Sequence, residues 1–189
     1  AKNNKLYTME FDSTLYFPVL IVLNFCFDDY VVRLRNQMVE RAAEIAASLA
    51  FYFANLKQEI GFVATGTTST EENKEGDFIR VQGKSGYEHA QEILEVIAKL
   101  RPVPGRADFN SLLFRSGTGI QIGTKVMVVT PRVNEEQAQT LIGAKRKGLN
   151  LQVLQLESSQ ERRDEDFVKG ALRVIPIKEM AQGTIHEQH

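Results

Sequence analysis

Continuous apolar runs and apolar residues at helical spacing alternate along this chain. Val19–Leu23 is an unbroken run of branched apolar residues, which predicts a strand buried on both faces. After it, apolar residues recur at spacings of three and four: Val31, Leu34, Met38, Ala42, Ile45, Leu49 and Phe53. That spacing predicts a long amphipathic helix packed on a sheet. Ile60–Ala64 is the next apolar run and the second predicted strand.

The middle of the chain predicts a third strand and a second helix. Residues 65–77 are polar and rich in threonine, glutamate and glycine, which is typical of an exposed loop. Residues 78–82 alternate as a strand does. Ser85 and Glu88 then stand in the spacing of a capping box, which predicts that a helix begins here. A short helix is expected over residues 108–115.

The last third of the chain repeats the alternation. Lys125–Thr130 is a second strand that is apolar on both faces. Asn134 and Gln137 form another capping-box pattern, and Gly148 suits the end of the helix that they open. Further strands are expected at residues 151–156 and 173–178, and Pro176 favours an edge position for the last one.

Regular alternation of strands and helices predicts an α/β fold: a three-layer, doubly wound, mostly parallel sheet with helices on both faces. The 189 residues suit one domain, which we place at residues 17–180. Residues 1–16 are expected to be a lead-in from a truncated upstream region, and residues 181–189 a flexible tail. Ligands of such sheets bind beyond the carboxyl ends of strands, here near residues 24–28, 64–68, 82–85 and 130–132.

Composition narrows the function classes. Hydrophobic residues make up 43% of the chain, charged residues 25%, and the net charge is −1, so a nucleic-acid partner is not indicated. Cys26 is the single cysteine, which excludes an internal disulfide and favours a reducing compartment. No apolar run reaches the roughly 20 residues that span a bilayer. We therefore expect a soluble cytoplasmic domain.

The loop after the first strand carries Asn24, Cys26 and Asp28. The predicted fold resembles the von Willebrand factor A-type domain, whose metal-ion-dependent adhesion site has Asp-x-Ser-x-Ser at these three positions. Carboxylate and hydroxyl oxygens suit a hard cation such as magnesium, whereas this loop offers an amide and a thiol. Thr130-Pro131 stands where Thr-Asp is expected, and Arg106 lies near the position of a further threonine. We therefore expect a degenerate site that binds no metal.

Other candidate chemistry has a simpler explanation in each case. Gly117, Gly119 and Gly123 precede a strand, whereas phosphate-binding glycines follow one, so a turn is expected. Cys26 and His89 both fall near ends of predicted elements at the ligand-binding edge, and a catalytic pair requires contact that sequence alone does not show. Two further histidines, His186 and His189, lie in the tail and are too few for a metal site.

Two segments carry a resemblance to a known family. Residues 42–52 read AAEIAASLAFY, followed by Gly61-Phe-Val, and residues 86–98 contain GYEHA and ILEVIA. Together they resemble the bacterial domain-of-unknown-function-fifty-eight proteins over roughly residues 1–156. The resemblance implies a C-terminal von Willebrand A-like domain, in a protein that commonly has two upstream membrane helices. It also implies a role as adaptor for a MoxR-type AAA+ ATPase.

Taken together, these observations predict a non-catalytic protein-interaction or scaffold module that uses no cofactor. The expected partner is a protein, contacted through polar residues at the strand ends: Asp28, Asp29, Arg106, Asp108 and Arg132. The alternative is an enzyme on a Rossmann-like sheet that acts at the same edge and uses Asp28, Asp108 or His89.

Overall fold

The computed structural model describes residues 17–68, 78–102, 109–112, 120, 123–157 and 174–178. Six strands form one sheet: β1 Val19–Leu23, β2 Ile60–Ala64, β3 Ile79–Lys84, β4 Lys125–Thr130, β5 Asn150–Glu157 and β6 Val174–Lys178. Three long helices accompany them: α1 Arg35–Asn55, α2 Tyr87–Lys99 and α3 Glu135–Arg146. Residues 109–112 form a further helical turn.

The sheet order is β3-β2-β1-β4-β5-β6, with every neighbouring pair parallel except β2 and β3. All five residues of β1 are buried, because β1 lies between β2 and β4 and is covered on both faces. The predicted fold class, a mostly parallel α/β sheet between helices, is therefore confirmed. Pro176 lies in the edge strand β6, as the sequence predicts.

Alternate residues of the central strands enter two separate cores. Ile21 and Leu23 pack with the buried faces of α1 and α2, whereas Val22 packs with Leu141 of α3 on the opposite face. The chain moves from β1 to β2 in one direction and from β4 to β5 in the other. Right-handed crossovers therefore place α1 and α3 on opposite faces of the sheet, which produces the three layers.

β3 runs antiparallel to β2, so one predicted ligand-binding edge is wrong. The carboxyl end of β3, at residues 82–85, lies at the edge where β1, β2 and β4 begin. The alternation of apolar residues is the same for a parallel and an antiparallel strand, and for this reason it does not reveal direction.

The start of α2 also differs from the prediction. Gly86, with φ of 111°, is the N-cap, and no side chain caps this helix. Ser85 and Glu88 therefore form no capping box. The second predicted box is confirmed, because Asn134 and Gln137 exchange both side chain to backbone hydrogen bonds at the start of α3.

Candidate functional site

The order of the strands reverses between β1 and β4, and the crevice beyond their carboxyl ends is where such sheets bind ligands. Asn24 directly follows β1, and Thr130 is the last residue of β4. Both side chains are fully buried. The Asn24 Nδ2 donates a hydrogen bond of 3.1 Å to the Thr130 Oγ1, which joins two loops that are far apart in sequence.

The environment of the Asn24 amide fixes its orientation. Its Oδ1 accepts a 3.1 Å hydrogen bond from the Cys26 backbone N–H, a group that can only donate. Its Nδ2 donates 2.7 Å to the Asp29 Oδ2, a carboxylate oxygen that accepts. If the amide were reversed, its NH2 group would face the Cys26 N–H, and its oxygen would face the Asp29 carboxylate, so that neither hydrogen bond could form.

A second amide holds the same carboxylate. The Gln137 Nε2 donates 3.1 Å to the Asp29 Oδ2, while its Oε1 accepts from the Asn134 backbone N–H. Gln137 is buried at the start of α3. Asn24, Asp29, Thr130 and Gln137 are called the strand-end network below.

Three further hydrogen bonds tie the surrounding backbone to this network. The Phe25 N–H donates 2.6 Å to the Thr65 Oγ1 at the end of β2. The Tyr30 hydroxyl donates 2.6 Å to the Asn24 carbonyl, and the Thr130 hydroxyl donates 2.8 Å to the Arg132 carbonyl. Burial raises the pKa of Tyr30 well above its usual range, and the nearby Asp29 charge adds to the effect. Tyr30 is therefore a neutral donor at physiological pH.

The residues of this crevice do not fit the divalent cation that an A-type fold implies. A hard cation needs several oxygen ligands, and the Asp29 Oδ2 already accepts from two amide N–H groups. The hydrogens of both amides carry partial positive charge and contact this oxygen. Among the described residues, no group of three or more His, Cys, Asp and Glu side chains is placed to hold a metal ion.

Cys26 and His89 lie at opposite edges of the sheet. Cys26 follows the carboxyl end of β1, whereas the His89 Nε2 contacts the carbonyl of Ile60, 2.8 Å away, at the start of β2. The five-residue parallel strands between these edges span about 16 Å, so the two side chains form no catalytic pair. The expectation that His89 lies at the ligand-binding edge was wrong because β3, which leads into α2, is reversed.

The Cys26 thiol has little nucleophilic character. Burial is the largest effect and raises its pKa, the backbone N–H groups of Asp28 and Asp29 lower it, and the charges of Asp29 and Asp28 raise it, so that the pKa of the thiol is raised overall. A thiol is nucleophilic as its thiolate. The environment of Cys26 therefore keeps it in its unreactive form near neutral pH.

Of the residues proposed to contact a partner, Asp28 and Arg132 are exposed at the strand ends, and Asp29 belongs to the strand-end network. Arg106 and Asp108 lie outside the described residues, as do Gly117, Gly119, His186 and His189. Gly123 lies in a turn before β4 with φ of 92°, as predicted for this glycine.

Sequence reasoning missed the roles of Thr65, Thr130 and Gln137. Thr65 and Thr130 follow apolar runs directly, and a polar residue at that point is a signal for the strand edge. Gln137 was recognised as a cap, but its contact with Asp29 crosses 108 positions of sequence. No local pattern predicts a contact of that separation.

Comparison with known proteins gives structural likeness alone. No family model and no curated protein matches the chain. The pilus adhesin SpaC from Lactobacillus rhamnosus GG, in its open conformation, aligns with a TM-score of 0.56 at 10% identity, over 89% of this chain and 28% of the adhesin. Proximal thread matrix protein 1 from the mussel byssus aligns with a TM-score of 0.52 at 10% identity, over 85% of this chain and 43% of that protein.

A structure described as von Willebrand factor type A from Catenulispora acidiphila also matches, with a TM-score of 0.49, 12% identity, and coverage of 87% of this chain and 39% of that one. The chain therefore spans less than half of each of these proteins. The likeness to the adhesin and to the thread matrix protein agrees with the mostly parallel α/β fold that the sequence predicts. It extends to the fold and not to any activity.

Proposed function

We propose that this chain is a protein-interaction module that contacts its partner through the loops at the strand ends, without a metal ion and without chemistry of its own. These loops, residues 24–34, 65–68, 101–102 and 130–134, are called the strand-end surface. The observation that carries the proposal is the double amide contact to Asp29. Two side chains of the protein itself donate hydrogen bonds to this carboxylate, which a bound cation would otherwise neutralise.

The strand-end surface also offers an apolar contact. Val32 is 78% exposed in the short turn before α1, more than any other large hydrophobic residue of the described chain. Apolar residues surrounded by polar ones are typical of the contact regions of protein interfaces. SpaC is described as an adhesin, and adhesion through a related fold is consistent with the proposal.

An enzyme at the same edge has less support. A cavity of about 730 Å³ lies between α1 and the β5–β6 part of the sheet, lined by residues such as Ile45, Leu49, Leu154 and Ile177. Neither Asp28 nor His89 lines it. The raised pKa of Cys26 and its separation from His89 also argue against nucleophilic catalysis at the strand ends.

A finer proposal names the partner class as a MoxR-type AAA+ ATPase. It rests on the resemblance of residues 42–52 and 86–98 to the domain-of-unknown-function-fifty-eight family. Membrane attachment of a parent protein rests on the same resemblance, and no helix among the described residues is long and apolar enough to cross a bilayer.

The test is capture of partners from native cell extract by the tagged protein, with excess EDTA or with magnesium. We expect equal capture in both, and loss of capture with Val32→Asn. Tyr87→Asn is the matched control, because Tyr87 is 57% exposed at the opposite edge. Loss of capture in EDTA, or loss with Tyr87→Asn alone, would refute the proposal. Absence of a MoxR-type ATPase among the captured proteins would remove the finer proposal only.

A further inference from the structure

Three arginines lie on the strand-end surface, on segments that follow β1, α2 and β4. Arg33 follows β1, Arg132 follows β4, and Arg101 pairs with Thr67 just beyond β2. All three are exposed. The strands β2, β1 and β4 are neighbours in the sheet, so the three arginines lie beyond the same edge of it.

The backbone of each arginine is held by hydrogen bonds. Arg101 and Thr67 exchange two backbone hydrogen bonds, of 2.8 and 3.0 Å. The Arg132 carbonyl accepts from the buried Thr130 hydroxyl, and the turn that carries Arg33 is closed by a 3.0 Å bond from the Leu34 N–H to the Val31 carbonyl. Three cationic side chains are thus presented from ordered positions, which lowers the entropic cost of binding.

None of these three guanidinium groups makes an ion pair within the described part of the chain. The acids at the same edge, by contrast, already have interactions. Asp29 accepts from two amides, Asp28 has an interaction of its own, and Glu135 and Glu136 lie in the first turn of α3, where the helix dipole favours negative charge. Among the described residues at this edge, the arginines are therefore charged groups that have no ion pair.

We propose that the strand-end surface recognises an acidic segment of a partner protein, whose Asp and Glu carboxylates pair with Arg33, Arg101 and Arg132. This inference rests on the proposed function and adds the chemistry of the partner. The planar guanidinium group matches a carboxylate through two parallel hydrogen bonds. Exposed Val32 lies next to Arg33 and gives the same segment an apolar contact.

The acids at this edge also favour a peptide over a nucleic acid. Asp28, Glu135 and Glu136 are exposed at the same edge, and a backbone with one phosphate per nucleotide would bring negative charge near them. Separate carboxylates on a peptide can meet the arginines and avoid the acids.

The experiment measures fluorescence anisotropy of a labelled peptide that combines Glu and Asp with one Leu. An amide peptide with Gln and Asn at the acidic positions is the ligand control. The triple variant Arg33→Gln, Arg101→Gln and Arg132→Gln is compared with a matched triple variant at the opposite edge, Lys84→Gln, Arg146→Gln and Lys147→Gln. Each triple variant removes three exposed cations, and thermal melts establish that both fold.

We expect the arginine triple variant to weaken binding of the acidic peptide at least about fivefold and the control triple variant to leave it unchanged. We also expect added salt to weaken wild-type binding. The inference is overturned if the wild type does not bind the acidic peptide, if it binds the amide peptide equally, or if a single-stranded oligonucleotide binds more tightly. Partner capture that depends on Val32 but survives the arginine triple variant would overturn the inference and leave the proposed function standing.

Discussion

At the scale of single residues, the strand-end crevice depends on matching each donor with an acceptor. Asn24 and Gln137 donate to Asp29, and Thr65 and Thr130 accept from buried groups. A buried polar group that loses its partner costs more than a formed hydrogen bond contributes. Small chemical changes at these positions should therefore have large effects on stability.

Asn24→Asp should destabilise the fold by about 3 kcal/mol at neutral pH, because it places a second carboxylate at hydrogen-bond distance from Asp29. The repulsion raises the pKa of one carboxyl above its unfolded value. The variant should therefore have nearly wild-type stability below about pH 4 and lose it as the pH rises. Thermal melts across pH measure this effect.

Asn134→Asp is the matched control for that prediction, since aspartate caps a helix as well as asparagine does. Magnesium should raise the melting temperature of Asn24→Asp and leave the wild type unchanged. An equal rise for the wild type would contradict the degenerate metal site.

Thr65→Val should lower the free energy of unfolding by about 1–3 kcal/mol, because it leaves the buried Phe25 N–H without an acceptor. Thr140→Val makes the same change on α3, where the hydroxyl only donates to the Glu136 carbonyl of its own helix. Urea unfolding should show a larger loss of stability for Thr65→Val than for Thr140→Val. Equal losses would show that the Thr65 hydroxyl is unimportant.

Cys26 should react slowly with iodoacetamide at neutral pH and faster as the pH rises, since its thiolate forms only above a raised pKa. Unfolding in urea removes the burial and should increase the rate at a given pH. A folded-state rate equal to the unfolded rate at neutral pH would contradict the assignment of an unreactive thiol.

At the scale of elements, sequence reasoning identified the strands well because burial on both faces leaves a continuous apolar run. Val19–Leu23, Ile60–Ala64 and Lys125–Thr130 were predicted with the bounds that the structure has. The direction of a strand could not be predicted from the sequence, as the antiparallel β3 shows. The strand-end network was only partly foreseen, because the loop after β1 is visible in sequence whereas the approach of Gln137 depends on how α3 packs.

Gly66 should tolerate no side chain. Its φ is 120°, and a Cβ there would lie 2.8 Å from the Arg101 carbonyl oxygen. Gly66→Ala should therefore destabilise the protein by about 1–3 kcal/mol and displace the loop that carries Arg101. The control is Gly143→Ala, where nothing lies within 4 Å of the added Cβ. This change should stabilise the protein by up to about 1 kcal/mol, because alanine favours the helical conformation of α3 more than glycine does. Calorimetry should show shifts of opposite sign.

At the scale of the whole molecule, two cores share one sheet, and β1 contributes to both. Its central residues Ile21 and Val22 are fully buried. The edge strand β3, in contrast, buries only Val81. Protection against local opening should decrease from the centre of the sheet towards β3.

Hydrogen–deuterium exchange measures that gradient. Amides of β1 and β4 should exchange slowest, at rates near those of global unfolding, and amides of β3 that face away from β2 should exchange fastest among the strands. Equal protection of β1 and β3 would indicate that the sheet opens as one unit.

The reversed strand β3 has a consequence for how such a module can diversify. A parallel neighbour would need a helical crossover between β2 and β3, whereas an antiparallel one needs only a loop. Residues can be added to or removed from that loop without a change in the order or direction of the strands, since long surface insertions carry a small entropic cost. Because the loop starts beside Gly66 and Thr67 at the strand-end surface, a change in its length would alter that surface and leave the core unchanged.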